Sequence, residues 1–345
     1  MEQAIEHFVH GLSGILLVGL IVVCLFVLGK GASVLVKEAV ILSQRWGMPK
    51  TVVGATIISL GTTSPEAAVS VVAAIKGDPE IALGNAVGSI ICDTGLILGL
   101  ACIIRPLPLD RSIVNRQGWI QLIAGCLLVA ACWNYSDPAS VIKGGGNLPQ
   151  VIGFLFGLLL VAYIWKSIKW AKEGESDGVG AEVKADETAS SVAVLVMLLV
   201  GIVLVVGSST VLVPTVTEAA LRVNIPKSII AATLVAFGTS LPELVTAVTA
   251  TLKGHGELAI GNIIGADILN VLFVAGLSAA VTTNGLPAPA YFFAILFPAM
   301  LFILVVFRVG IFASKTHLQR PFGFILLAAY IVITVIQLCF IPGAE

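Results

Sequence analysis

Charged residues are scarce in this chain. Asp, Glu, Lys and Arg make up only 11% of its 345 residues, whereas hydrophobic residues make up 58%. A soluble domain carries about 25% charged residues, so this composition excludes a soluble enzyme, a nucleic-acid-binding protein and a disordered chain. The formal net charge of −1 leaves no basic excess that would indicate a polyanionic partner. What remains is a polytopic membrane protein embedded in a lipid bilayer.

Cysteine pairs with the spacing of metal or redox sites are also absent. The six cysteines lie within or beside apolar runs, and none forms a CxxC pair. We therefore expect neither a zinc site nor a disulfide framework, and no resident cofactor. The sequence begins with an acidic rather than a basic segment, so we expect the first apolar run to be a retained helix and not a cleaved signal peptide.

Long apolar runs dominate what is present. A helix needs about 20 apolar residues to cross a bilayer, and ten runs of this kind predict an all-α protein with ten transmembrane helices. We place them at residues 11–42, 50–75, 79–103, 117–134, 148–169, 191–221, 227–252, 257–282, 290–308 and 321–341. The first and sixth runs are long enough to be tilted or to project into water.

Basic residues between the runs predict the orientation of the chain. The connections on one side contain thirteen Lys and Arg residues and those on the other side contain four, so the richer side is expected to be cytoplasmic. Both termini are then outside the cell. The hydrophilic stretch 171–190 is predicted to be a flexible cytoplasmic linker, with a regulatory segment as the alternative. It separates two five-helix halves, residues 1–170 and 191–345.

The two halves contain an internal repeat. Residues 54–100 align without a gap with residues 231–277, at an offset of 177 and with 18 identities in 47 positions. The identities include Pro, Glu, Asn, Lys and several Gly, so shared apolar composition does not explain them. Because each half has an odd number of spans, the second half must enter the membrane upside down. We therefore predict two inverted repeats, an arrangement seen in secondary transporters.

Each repeat carries a Gly-Thr-hydroxyl-x-Pro-Glu motif in the middle of a span. The motifs end at Glu66 and Glu243. A carboxylate near the bilayer centre costs about 2.5–3.5 kcal/mol or more, and no Lys or Arg lies in the central parts of these spans. We therefore predict that Glu66 and Glu243 bind a cation from solution.

The proline of each motif predicts a broken helix at this ion site. Pro65 and Pro242 cannot donate a hydrogen bond, and each ring clashes with the carbonyl four residues back. The freed carbonyls add oxygen ligands. The hydroxyls of Thr62 and Thr239 lie one helical turn before each glutamate and share its face. Such hard oxygen ligands suit Ca²⁺ and Na⁺ and do not suit zinc or copper.

The second span of each repeat adds further polar side chains. Asp93 and Asn270 occupy equivalent positions that differ by one charge. Ser89 lies one turn before Asp93, where the second repeat has Ala266. Asp267 has no acidic counterpart in the first repeat. We expect Asp267 to face a cavity or a polar contact, with a role as a ligand as the alternative.

These motifs resemble the α-repeats of the calcium/cation antiporter superfamily, and particularly its prokaryotic sodium/calcium exchangers. GTTSPE with GNAVGSIICD, and GTSLPE with GNIIGADILN, carry the resemblance. It implies a transporter of Ca²⁺ and Na⁺ rather than an enzyme, in a prokaryotic inner membrane. The proton/calcium branch of the superfamily has a Glu soon after its Gly-Asn pair, where this chain has Gly88 and Gly265, and this favours sodium as the driving ion.

The resemblance also implies roles for individual residues. The glutamates would be the principal ligands, the threonines of the Gly-Thr pairs would offer backbone carbonyls to calcium, and the neighbouring hydroxyls and one backbone carbonyl would bind sodium. The implied ligands are Glu66, Glu243, Thr62, Thr239, Asp93, Asn270, Thr63, Ser240, Ser89 and Ala236. This chain departs from well-studied relatives in two ways: its Asp and Asn are in the reverse order, and Ala266 replaces a sodium-binding Ser.

The function that follows is secondary active antiport. The three acids Glu66, Glu243 and Asp93 can neutralise either one Ca²⁺ or several Na⁺, so sodium that enters by alternating access expels calcium. Proton/calcium exchange and potassium-dependent sodium/calcium exchange are alternatives, and a cation channel is the alternative from a different class. No protein partner and no nucleic acid can be deduced from the sequence.

Overall fold

The structure is a computed structural model that describes residues 2–135, 137–138, 141–174, 191–223 and 238–340. Within these residues, nine helices are long and apolar enough to cross a membrane. They match nine of the ten predicted spans. The seventh predicted span, residues 227–252, is described only from residue 238 and ends in a shorter apolar helix, Leu241–Leu252.

Helices make up most of the described residues, and four short strands join their connections. The helices are α1 (Glu2–His10), α2 (Gly14–Arg45), α3 (Lys50–Lys76), α4 (Pro79–Ile104), α5 (Arg111–Cys132), α6 (Val141–Gly144), α7 (Gln150–Gly174), α8 (Ser191–Arg222), α9 (Leu241–Leu252), α10 (Gly256–Ala280), α11 (Phe292–Ala313) and α12 (Arg320–Phe340). The strands are β1 (Leu107–Pro108), β2 (Gly146–Leu148), β3 (Leu286–Ala288) and β4 (His317–Leu318).

Local sequence signals explain where several helices begin and end. The side chain of Ser13 accepts a hydrogen bond from the Leu16 amide at the start of α2. The Asp110 carboxylate accepts the amides of Ser112 and Ile113 at the start of α5. Such side chains satisfy amides that have no partner inside the helix. At the other end of α3, Gly77 adopts a φ of 101°, a conformation that glycine tolerates and that stops the helix.

The helices differ in how deeply they are buried. Of the most apolar stretch of α10, 94% is buried within the protein, compared with 28% for α2 and for α8. Large apolar side chains such as Phe26 on α2 and Val203 on α8 are exposed. Exposed apolar faces around a buried helix are typical of a protein whose outer surface contacts lipid. Helix α10 therefore lies at the centre of an integral, multi-pass membrane protein.

The two long helices α2 and α8 pack against each other in antiparallel directions. Each has 32 residues, a length of about 48 Å, which exceeds the hydrocarbon core of about 30 Å. A Cβ on Gly31 would lie 2.8 Å from the Cβ of Leu204, and a Cβ on Gly201 would lie 2.8 Å from the amide nitrogen of Leu35. Residue numbers therefore rise along α2 (31 to 35) while those of the contacting residues on α8 fall (204 to 201), so the two helices are antiparallel.

The four strands form two short antiparallel ribbons that join the halves of the chain. Strand β1 follows α4 and pairs with β4, which follows α11. Strand β3 follows α10 and pairs with β2, which precedes α7. Each ribbon therefore contains one strand from each half. The connections that follow α4 and α10, which are equivalent in the repeat, lie in different ribbons.

One prediction about the helices is wrong. Helix α3 continues through Pro65 instead of breaking there. Nearby hydroxyls add hydrogen bonds to carbonyls that precede the proline: Ser64 donates to the Leu60 carbonyl at 2.5 Å, and Thr62 donates to the Ile58 carbonyl at 3.2 Å. Since Pro65 has no N–H group, the Gly61 carbonyl still lacks its usual helical donor.

The helices that carry the motifs contain π-helical turns instead. These wider turns, which often occur at functional sites, occupy Gly54–Ile58 in α3, Cys92–Ile97 in α4 and Asn270–Ala275 in α10. A fourth lies in α11 at Phe292–Leu296. In the second repeat, α9 begins one residue before Pro242, where a missing N–H group has no cost.

Candidate functional site

The two predicted glutamates lie in the interior and close to each other. Glu66 in α3 and Glu243 in the first turn of α9 are each 1% exposed. The hydroxyl of Thr63 donates a 3.1 Å hydrogen bond to Oε1 of Glu243, so a residue of the first motif contacts the carboxylate of the second. The two carboxylates are near enough to repel each other. Their other oxygens, both Oε2 atoms, have no hydrogen-bond partner among the described residues.

Asp93 and Asn270 lie beside this pair, as predicted. Each is 1% exposed and stands at the start of a π-helical turn. Asp93 is close enough for electrostatic repulsion with Glu66 and Glu243, and the Ser240 hydroxyl lies next to it. Oδ1 of Asp93 and Oδ1 of Asn270 have no hydrogen-bond partner in the part of the chain that the structure describes. These oxygens are available to a cation.

The predicted hydroxyl ligands divide into two groups. Ser89 and Ser240 are buried, and neither hydroxyl has a hydrogen-bond partner among the described residues. By contrast, the Thr62 hydroxyl bonds backbone carbonyls of its own helix, and the Thr239 hydroxyl donates to Oδ1 of Asn85 at 3.3 Å. The side chains of these two threonines are therefore occupied, which leaves their carbonyls for the predicted role. Ala236, the remaining predicted ligand, lies outside the described residues.

Asn85 is a member of the site to which the sequence analysis assigned no role. Its side-chain amide donates to the Ser70 hydroxyl at 3.0 Å and reaches the Glu66 carbonyl at 3.5 Å, while its oxygen accepts from Thr239. It therefore connects α3 and α4 to the start of the second motif. Its repeat partner Asn262 is fully buried. The signal was present in the sequence, because a Gly-Asn pair occurs at both equivalent positions.

Asp267 faces polar contacts, one of the two outcomes expected for it. It is 2% exposed, and its Oδ2 accepts hydrogen bonds from the Thr94 hydroxyl and, at 2.5 Å, from the side-chain amide of Gln121. The three residues lie on α10, α4 and α5. The sequence analysis did not identify Thr94 or Gln121, because neither belongs to a repeated motif.

Positive charge is absent from this cluster. The ion pairs between described residues involve Glu38 and Glu218, which lie on α2 and α8 outside the cluster. Among the described residues, no three His, Cys, Asp or Glu side chains converge closely enough to hold one metal ion. The arrangement has a buried carboxylate pair with additional amide, hydroxyl and carbonyl oxygens, which suits hard cations.

Known proteins resemble the chain along nearly its whole length. The inner membrane protein YrbG of Escherichia coli is 29% identical over 323 residues, which cover 92% of this chain and 95% of YrbG. The sodium/calcium exchanger MaX1 of Methanosarcina acetivorans is 28% identical over 348 aligned residues, which cover 93% of this chain and 97% of MaX1.

A solved structure shows the same fold. The sodium-calcium exchanger NCX_Mj, soaked with 10 mM Na⁺ and zero Ca²⁺, superposes with a TM-score of 0.77 at 26% identity, covering 95% of this chain and 100% of that chain. The family described as sodium/calcium exchanger protein matches residues 16–169 and 193–339. Because this match includes both halves and both glutamate motifs, the chain belongs to the sodium/calcium exchanger protein family.

Proposed function

We propose that this protein is a secondary active antiporter that exchanges Na⁺ for Ca²⁺ and exports calcium as sodium enters. The observation that carries the proposal is the pair of buried carboxylates, Glu66 and Glu243. Among the described residues, one oxygen of each has no hydrogen-bond partner and no basic side chain forms an ion pair with either. Two ionised carboxylates in the membrane-embedded interior need a cation to balance their charge. Calcium and sodium compete for the same oxygens, and this competition couples their fluxes.

The proposed ligand set is the one that the family resemblance implies. Glu66 and Glu243 supply carboxylate oxygens to calcium, and the carbonyls of Thr62 and Thr239 complete its shell. Hydroxyls next to these atoms bind sodium, with Asp93 and Asn270 between the two repeats. The hydroxyl and carbonyl ligands proposed for sodium are those of Thr63, Ser240, Ser89 and Ala236. No described basic residue competes with the ions for these oxygens.

Inverted symmetry gives the site two equivalent routes to the two sides of the membrane. The antiparallel packing of α2 on α8, the first helices of the two halves, supports the inversion. The placement of equivalent connections in separate ribbons supports it as well. In such a protein the site stays near the middle of the bilayer while one group of helices moves against the rest.

Alternating access is assigned to α2 and α8. These helices pack along each other, extend beyond the bilayer core and are mostly exposed to lipid. Neither is connected directly to a ribbon strand, whereas α4, α5, α7, α10, α11 and α12 each adjoin one. In this proposal the long pair slides or tilts against the six ribbon-linked helices and opens the site to one side at a time.

The location follows from the charge distribution and from the relatives. YrbG is named an inner membrane protein, and the same membrane is proposed here. The excess of basic connections on one side supports the proposal that both termini are outside and that the linker 171–190 is in the cytoplasm.

Calcium flux into liposomes tests the function. The purified protein is reconstituted, the liposomes are loaded with Na⁺, and uptake of ⁴⁵Ca²⁺ is measured after dilution into sodium-free buffer. We expect sodium-dependent uptake that Glu66→Gln and Glu243→Gln each abolish. Glu80→Gln is the matched control, because Glu80 accepts a hydrogen bond from Tyr291 at the start of α4 and lies outside the cluster.

Varying the gradients separates the alternatives. Uptake driven by a pH gradient without sodium would establish proton/calcium exchange, and uptake that needs potassium together with sodium would establish the potassium-dependent form. Calcium conductance without counter-transport would establish a channel. Normal exchange in both glutamate variants would contradict the proposed site.

A further inference from the structure

We infer that Asp267 and Asp93 form a second cation site, next to the glutamate pair, that holds one monovalent cation between α10 and α4. The inference rests on the proposed function, because it adds an ion to the same transport cycle. The first repeat has no acid at the position equivalent to Asp267.

The first observation is the one-sided hydrogen bonding of Asp267. The Thr94 hydroxyl and the Gln121 side-chain amide both donate to Oδ2. Oδ1 has no hydrogen-bond partner among the described residues, although the side chain is only 2% exposed. Two donors on one oxygen are typical of an ionised carboxylate. In the ionised form, a cation beside Oδ1 would balance the charge of this carboxylate.

The second observation is the position of Asp93. Its Oδ1 is also buried and without a partner in the described part of the chain, and its carboxylate is close enough to that of Asp267 for the two to repel each other. Thr94, the residue after Asp93, holds Asp267 by its hydrogen bond. The two unpartnered oxygens thus come from opposite repeats and are held in one neighbourhood.

A bound cation would balance the charge of the two carboxylates. No described Lys, Arg or His forms an ion pair with either aspartate. Calcium takes six to eight oxygen ligands, whereas Asp93 and Asp267 offer one unpartnered carboxylate oxygen each. A monovalent cation, Na⁺ or K⁺, fits the small number of ligands. The repeat comparison agrees, because Asp267 adds an oxygen beside Ala266, where the first repeat has Ser89.

Equilibrium binding of radioactive ions to the purified full-length protein tests the site. The number of ²²Na⁺ ions bound per chain at saturation is measured for the wild type and for Asp267→Asn, and the same measurement with ⁸⁶Rb⁺ serves as the probe for K⁺. We expect Asp267→Asn to reduce the number by one ion per chain for one of the two isotopes. The isotope affected identifies the cation. Glu80→Gln should keep the wild-type number for both.

A second variant protects the test against a folding defect. Thr94→Val keeps both carboxylates and removes one of the two donors to Oδ2, so we expect the same number of sites and a several-fold weaker affinity for the same isotope. Equal numbers for both isotopes in the wild type and in Asp267→Asn would overturn the inference. So would an unchanged affinity in Thr94→Val.

The outcomes separate this inference from the proposed function, because binding is measured without transport. If the wild type exchanges Na⁺ for Ca²⁺ in liposomes and Asp267→Asn keeps the wild-type number of ions, only the second site is refuted. If the number falls by one while the wild type shows no exchange, the site stands and the transport function is refuted.

Discussion

The hydroxyl of Thr63 donates a 3.1 Å hydrogen bond to the carboxylate of Glu243, a residue 180 positions later in the chain. Through this contact the motif of the first repeat reaches the motif of the second within a buried space. Glu243 has a partner on one oxygen only, so the hydrogen bond orients the carboxylate and leaves the other oxygen for an ion.

The Thr63 hydroxyl is therefore expected to contribute to ion binding. A hydrogen bond to a charged group is worth about 1.5–3 kcal/mol, so Thr63→Val should weaken calcium affinity by roughly tenfold or more. Thr63→Ser keeps the hydroxyl and should stay near the wild type. The measurement is the calcium concentration at half-maximal ⁴⁵Ca²⁺ uptake.

A matched control for this change is Thr334→Val. Its hydroxyl bonds the Tyr330 carbonyl within α12, so its removal should not affect calcium affinity. Wild-type affinity in Thr63→Val would show that the contact with Glu243 plays no part in binding.

The inverted topology predicts that two equivalent loops face opposite sides of the membrane. Lys76 and Lys253, which occupy equivalent positions in the repeats, are both exposed. After the exposed Cys126 and Cys339 are replaced by Ser, a Lys76→Cys variant should react with an impermeant thiol reagent from outside the cell. A Lys253→Cys variant should react only from the cytoplasmic side. Labelling of both from the same side would refute the inversion.

Close packing of the long helices predicts different effects for two glycines of α8. Gly201→Ala places a Cβ 2.8 Å from the backbone of Leu35, whereas a Cβ on Gly207 meets nothing within 4 Å. Overpacking costs about 1–3 kcal/mol, so Gly201→Ala should lower the Tm of the purified protein. Gly207→Ala should leave the Tm unchanged or raise it slightly. Equal Tm values for the two variants would contradict the observed crossing of α2 and α8.

His255, in the loop between α9 and α10, predicts a pH effect on stability. Its burial, and secondly the Lys50 ammonium 3.3 Å from its Nδ1, lower the pKa of His255 from the ordinary value of 6.5. The folded state therefore favours the neutral ring. The resulting stabilisation is present above the unfolded-state pKa of about 6.5 and is lost as the pH falls through the lower, folded-state pKa.

Thermal unfolding between about pH 7.5 and 5.5 measures this effect. In His255→Gln the Tm should fall less on acidification than in the wild type. His317→Gln, which alters an exposed residue bonded to Thr316, should behave as the wild type does. Identical pH profiles of the Tm for wild type and His255→Gln would show that the His255 ring does not contribute to the pH dependence of stability.

The sequence predicted the helices and the two glutamates for a physical reason. A span is read from a run of apolar residues, and nine spans of the described chain follow that rule. Glu66 and Glu243 stand out because a carboxylate within such a run has a large desolvation cost. The repetition of the same motif indicated that they act together.

Contacts that depend on tertiary packing could not be predicted in the same way. Helix α3 passes through Pro65, although the proline removes the usual donor to the Gly61 carbonyl, and the local sequence does not show whether a helix breaks at such a proline. The partners of Asp267 are 173 and 146 positions away. Thr94 and Gln121 reach Asp267 only because α4 and α5 pack against α10, and no repeated motif in the sequence indicates this packing.

The two β-ribbons have a mechanical consequence. They pair connections from opposite halves of the chain at both ends of the helix bundle. Six helices, α4, α5, α7, α10, α11 and α12, each adjoin a strand of a ribbon. Among the described elements, the long pair α2 and α8 adjoins no ribbon strand, and neither do α3 and α9, which carry the two glutamates. The ribbons therefore restrain six helices directly, whereas the two helices that carry the glutamates are held by packing alone.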